Sequence, residues 1–188
     1  MKARRHNDEV LYTDEPNTRV CPSDIEQLKA RARTNPRGRI RLCAHPNVTD
    51  AVHEMLIVHT RECYVRPHRH VNRPESYHVI EGAATLVTFE EDGQIREIIP
   101  IGDRTSGRIF YVRLADTGYH TLAIESELLV FHETTRGPFD PKTTVHAPWS
   151  PEESDRRGVE EFMARFRALV LGSDENLPWA PSNTSIQR

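Results

Sequence analysis

The chain has no run of apolar residues approaching the roughly 18 that a helical bilayer span requires. Its opening, M-K-A-R-R-H-N-D-E-V, carries charge with no apolar core behind it. That pattern predicts neither a secretory signal nor a membrane anchor and places the protein in the cytoplasm. Cysteine is scarce: Cys21, Cys43 and Cys63 are odd in number, widely spaced and without a C-x-x-C pair, so free thiols are expected rather than a disulfide framework or a thiolate zinc knuckle. A basic excess is missing too. The net charge of -3 argues against nucleic acid or an anionic membrane as partner. Only 9 glycines stand against 13 prolines, which suits a soluble protein with many turns, and 188 residues are enough for one packed domain with additional arms.

What is present divides into three stretches. Residues 1–38 hold a polar arm in which Val10, Leu11 and Tyr12 form a small apolar cluster able to pair as an edge strand, followed by a helix over about 24–33. Ser23 and Glu26 fit a capping box there, Ile25, Leu28 and Ala32 recur at helical spacing, and Asn35-Pro36 ends the pattern. Residues 39–148 read as strands. Ile40 and Leu42 alternate with charged and small residues, His45-Pro46-Asn47 makes a turn, and runs follow at Glu54–Val65, Ser76–Glu81, Ala84–Glu90, Gln94–Ile99, Arg108–Leu114, His120–Ile124 and Leu128–Thr134. Asp92-Gly93 marks a tight hairpin. Many short strands with no helices between them predict an all-β antiparallel sandwich or barrel. Residues 149–188 open on a capping signature at Ser150–Glu153. Val159, Phe162, Met163, Phe166, Leu169 and Val170 then trace one apolar helical face up to Gly172, with a tail that Trp179 can anchor. The surface receiving that face is either the outside of the barrel or a second subunit.

The chemistry gathers at Y-V-R-P-H-R-H-V-N-R-P-E-S-Y-H-V-I-E-G, residues 64–82. His68 and His70, two apart on a strand, present their imidazoles to one face, and Glu75 can swing in after a turn. His120, in T-G-Y-H-T, starts a later strand that can return across a barrel to meet them. Tyr64 and Arg66 share the parity of His68 and His70, so a regular strand would place both in the same interior, where Arg66 could hold an anionic group. Tyr77 shares the parity of Glu75, and His78 has the opposite one. Of His132 and Glu133, alternation allows only one to face inward, as a proton-transfer group. His53 and His59 lie on the run leading to the site, and His6, His45 and His146 sit in arm or loop segments.

The spacing His68-x-His70-x4-Glu75-x6-Gly82 resembles the first motif of the cupin superfamily in each residue type and gap. Its second motif places a His at His120, with Ala115 where Pro is usual, Thr117 where Gly is usual and Ile124 where Asn is usual. P-R-G-R-I-R-L-C-A-H-P, Y-V-R-P-H-R-H, Y-H-T, F-H-E-T-T-R-G-P-F and A-P-W, within about residues 24–150, resemble more narrowly the WbuC-type cupin metalloproteins, a family found with bacterial O-antigen gene clusters. The resemblance implies a double-stranded β-helix (jelly-roll) barrel with flanking N- and C-terminal helices and a homodimer. It also implies one divalent metal ion held by His68, His70, Glu75 and His120. Iron, manganese, nickel, cobalt and zinc all suit such a donor set. The expected function is a metal-dependent isomerase or epimerase acting on a small polar substrate, a sugar or nucleotide-sugar, with Tyr64, Arg66 and Tyr77 meeting the substrate and Glu133 or His132 moving a proton. A non-haem dioxygenase and a non-catalytic sugar-binding or regulatory module are the alternatives.

Overall fold

The computed structural model describes residues 2–115 and 118–172; the anchoring role expected of Trp179 and the turn position at Thr117 fall outside them. In chain order the elements are β1 (Ala3–Arg5), β2 (Val10–Thr13), α1 (Pro22–Thr34), β3 (Arg39–Cys43), β4 (Val52–Thr60), β5 (His68–His70), β6 (Glu75–Glu81) and β7 (Ala83–Phe89). They continue as β8 (Ile95–Gly102), β9 (Tyr111–Leu114), β10 (Tyr119–Ile124), β11 (Leu128–Arg136), β12 (Thr144–His146) and α2 (Arg156–Val170). One sheet runs β1-β2-β3-β4-β11-β6-β9 and the other β12-β5-β10-β7-β8. Among the described residues β2–β3 is the one parallel strand pair, beside a single isolated parallel bridge between Ile101 and Ile109. Strands distant in sequence that lie side by side in a sheet, such as β5 between β10 and β12, show the chain wrapping between two layers, which is a jelly-roll β-sandwich of the expected class.

Alternation along the strands makes three apolar compartments. Residues facing between the sheets, among them Met55, Ile57, Val79, Leu86, Leu122 and Phe131, form the interior. The outer face of the larger sheet presents Ile40, Leu42, Val58 and Val130 to Ile25, Leu28 and Ala32 of α1. The outer face of the smaller sheet presents Val87, Phe89 and Tyr119, with Trp149, to Phe162 and Phe166 of α2. The apolar face of α2 is thus received by the barrel of its own chain. Phe166 and Leu28 are fully buried, each contributing about 1.5–3 kcal/mol by leaving water.

Both helices start differently from expectation. Pro22 takes the first position of α1, where its fixed φ and missing N–H cost nothing, and Asp24 rather than Glu26 reaches back, accepting from the Cys21 backbone N–H at 2.9 Å. Pro151 keeps Ser150 out of helical geometry, so α2 begins later, capped by Asp155, which accepts from the Gly158 N–H at 3.0 Å. The Asp92-Gly93 turn joins β7 and β8 as the dipeptide predicts, with Gly93 at φ +89°. Cys21 is exposed, Cys43 and Cys63 are buried, and all three are free thiols. No helix among the described residues is long and apolar enough to cross a membrane.

Candidate metal centre

β5 is only three residues long, yet it is bonded on both sides: His68 lies opposite His120 of β10 and opposite His146 of β12. His70 lies opposite Thr144. The chain then turns through Asn72 at φ +56°, a left-handed conformation that Asn tolerates, and enters β6 at Glu75. The imidazoles of His68, His70 and His120 therefore converge from neighbouring strands. Their ring centroids are 4.9 Å (His68–His70), 4.6 Å (His68–His120) and 6.0 Å (His70–His120) apart. One nitrogen from each falls within 4.8 Å of the others, a group able to hold a metal ion.

In each ring the other nitrogen is already engaged. Nδ1 of His68 meets the Arg66 carbonyl at 2.8 Å, Nδ1 of His120 meets the Gly118 carbonyl at 3.1 Å, and Nδ1 of His70 meets the Thr144 hydroxyl at 3.1 Å. A carbonyl can only accept, so Nδ1 of His68 and of His120 carries the proton and each Nε2 presents a lone pair. Glu75 completes the group: its Oε1 is 2.6 Å from His120 Nε2 and its Oε2 is 3.5 Å from His70 Nε2. Oε1 and His120 Nε2 are both buried and, despite their proximity, neither has a partner with hydrogen-bond geometry. Donor atoms that crowd one point without bonding one another fit a shared cation better than an ion pair, and imidazole with carboxylate is a donor set for divalent first-row metals.

The charges follow from burial. His68 is pushed down to about 3 by burial, with the neighbouring His120 adding to the effect. His70 is pushed down to about 4, also mainly by burial. For His120, burial is outweighed by Glu75, so the net shift is upward. Burial alone would raise Glu75, but His120, then His70 and His68, hold its carboxyl below the usual range. Across the cavity Glu133 is shifted the other way, upward, by burial and then by the charge of Glu75, which Arg41 and Arg73 only partly offset. Glu133 lines the same cavity as the histidine group.

That cavity, about 450 Å³, is lined by His68, His70, Glu75, His120, Tyr77 and Glu133, with an apolar wall of Met55, Ile57, Val65 and Phe131. Tyr77 thus faces inward as its parity predicts, next to Glu75. His132 points away, 3.9 Å from Glu54 on the outer face, and exposed His78 lies beside Phe110. Two expected positions are corrected. Tyr64 packs against Phe162 of α2, and its hydroxyl donates to the Pro151 carbonyl at 3.0 Å. Arg66 donates to Ser150 Oγ at 3.2 Å and to its carbonyl at 3.3 Å. Residues 63–67 are not strand; Pro67 donates no ladder bond, parity does not carry across it, and Val65 faces the cavity instead. Cavity residues for which the sequence reading assigned no role include Arg41 and Arg73, together with His45 and His53, whose rings stack at 4.0 Å.

Residues 20–101 match a family model described as a domain of unknown function, DUF6016. The match takes in His68, His70 and Glu75 and ends before His120 and Glu133. No curated protein matches the sequence. Among solved structures the chain is similar to protein SO0799 from Shewanella oneidensis, with a TM-score of 0.51 at 10% identity over 73% of this chain and 87% of that one. It is also similar to oxalate decarboxylase from Lactobacillus farciminis (TM-score 0.41, 14% identity, 52% of this chain and 27% of that one). The capsular polysaccharide assembling protein CapF from Staphylococcus aureus is a further likeness (TM-score 0.43, 16% identity, 52% and 27%). The chain spans about a quarter of the length of these last two. The likeness to the first is one of fold.

Proposed function

We propose that this chain is a metal-dependent enzyme of the isomerase or epimerase type, with one divalent ion held by His68, His70, His120 and Glu75 and with Glu133 as the group that moves a proton. The single observation carrying the reading is the position of Glu133. Its carboxyl shares the cavity with the histidine group, makes no hydrogen bond or ion pair with any described residue, and is surrounded closely enough that its proton is retained more readily than usual. A purely ligand-holding site has no use for a free carboxyl at that place.

When bound, a divalent ion supplies Lewis-acid polarisation of a carbonyl or hydroxyl oxygen. The chain's own residues do the rest. The tied Nδ1 atoms fix the three imidazoles, Tyr77 borders Glu75, the apolar wall excludes water, and Glu133 takes or returns a proton at a carboxyl oxygen. A cavity of about 450 Å³ lies at the small end of the range for ligand sites. Together with the resemblance to proteins of polysaccharide gene clusters, this supports a sugar-sized substrate.

The test pairs elemental analysis with solvent isotope exchange. Full-length protein is expected to carry one metal ion per chain, which His120→Ala loses. It is also expected to exchange carbon-bound hydrogen of a panel of hexoses and nucleotide-sugars for solvent deuterium in D2O, read by NMR. Glu133→Gln should keep the metal and lose exchange by about 100-fold or more. Metal retained by a His68→Ala/His120→Ala protein would refute the ligand set, and full exchange by Glu133→Gln would refute its role.

A further inference from the structure

We infer that Arg41 and Arg73 form an anion clamp in the same cavity, so that the substrate is a sugar-sized carboxylic acid rather than a neutral sugar. The inference rests on the cavity being the substrate site, as proposed above, and adds the class of molecule that fits it.

Most arginines near the barrel have partners. Arg39 pairs with Glu9 and Glu153, Arg66 is held by Ser150, Arg69 pairs with Glu91, and Arg108 pairs with Glu125. The two whose side chains line the cavity without an ion pair are Arg41 and Arg73. Arg73 is only 9% exposed. Its Nε donates to Thr135 Oγ1 at 3.1 Å, and that hydroxyl donates in turn to the Pro74 carbonyl at 3.1 Å. Its guanidinium also sits over the Phe139 ring, 5.3 Å from the centroid. Two supports fix the group, yet its Nη1 is buried with no hydrogen-bond partner. A positioned, desolvated cation with an unmet donor is costly to keep, and a planar carboxylate is the partner its fork geometry matches.

Arg41 reaches the same space from another strand. On β3 it shares parity with Cys43, an interior residue, while Ile40 and Leu42 point to α1. It makes no hydrogen bond or ion pair with a described residue, and its charge acts on both Glu133 and Arg73. The acids nearby do not cancel the pair. Glu9 is taken by Arg37 and Arg39, Glu75 belongs to the histidine group, and Glu133 forms no ion pair with either arginine. The cavity therefore has cationic capacity left to meet an anion.

Isothermal titration of the full chain with gluconate and with sorbitol, its uncharged counterpart, tests this, with and without one equivalent of Zn(II). Wild type is expected to prefer gluconate by about tenfold or more, and the preference should fall about tenfold in Arg73→Gln and in Arg41→Gln while metal content stays unchanged. Arg73→Lys should recover only part of it, because an ammonium lacks the fork. Equal binding of the two probes by metal-loaded wild type overturns the clamp and leaves the metal reading intact. A preference for gluconate that survives in both Gln variants also overturns it, by assigning the carboxylate to the metal alone. Protein that takes up no metal but shows an arginine-dependent preference supports the clamp and overturns the metal reading. If Arg73→Gln fails to fold, the exposed Arg41 still decides the outcome.

Discussion

Thr144 offers the sharpest test of how the histidine group is organised. The Nδ1 atoms of His68 and His120 bond to backbone carbonyls, which no substitution removes, whereas that of His70 bonds to the Thr144 hydroxyl at 3.1 Å. Thr144→Val keeps the shape and deletes the acceptor. A bond between neutral groups is worth about 0.5–1.5 kcal/mol net, and a buried donor left unmet costs somewhat more. His70 is itself 9% exposed, so water replaces the hydroxyl poorly. The loss should therefore reach about 1.4 kcal/mol, or about tenfold in metal affinity. Competition between the protein and a chromophoric chelator for Zn(II) measures this directly, with Thr144→Ser as the control that restores wild-type affinity. If Thr144→Val bound within about twofold of wild type, a difference under about 0.5 kcal/mol, the ring would be oriented by strand packing alone and the argument from its hydrogen bond would fail.

Two further outcomes follow from burial and backbone geometry. His59, like His68, is pushed down to about 3 by burial and His70 to about 4, all from 6.5. In metal-free protein the unfolded chain binds these protons first as pH falls below 6.5, so stability drops from there toward pH 4. Each group contributes up to about 1.4 kcal/mol per pH unit. Denaturant titrations of His59→Leu should show a slope shallower by about one such contribution, and an unchanged slope would mean that His59 titrates normally. Gly82 sits at φ +88°, and a Cβ there would lie 2.3 Å from the Leu128 carbonyl oxygen and 2.4 Å from Ser126 Oγ. Gly82→Ala should cost about 2–4 kcal/mol, combining left-handed strain with a clash against backbone, and a loss below about 1 kcal/mol would show that the β6–β7 turn can shift to accept it.

Local features were legible in the sequence because local physics decides them. The two-residue spacing of His68 and His70, the turn before Glu75 and the apolar faces of both helices follow from strand and helix periods. Inward Glu133 and outward His132 needed only the register of β11. Tyr64 and Arg66 were misplaced because period two was extended through residues 63–67, which are not strand. Arg41 was missed for a different reason. The alternation with Ile40 and Leu42 was visible, but which side α1 would cover was not, and α1 takes the apolar side, leaving Arg41 and Cys43 facing the interior. Arg73 gave no periodic signal at all, since a Thr135 hydroxyl from the far end of β11 holds it.

The register of His68 against His120 also bears on the unfolded chain. Any ion gripping both ties together positions separated by β6 to β9, closing a loop of about fifty residues, for which polymer statistics give a restriction of ~4 kcal/mol at 25 °C. A bridging ion would then act as a reversible cross-link. Chelation would release that constraint along with the coordination bonds, and metal-stripped protein would lose more stability than the weakness of any single ligand suggests.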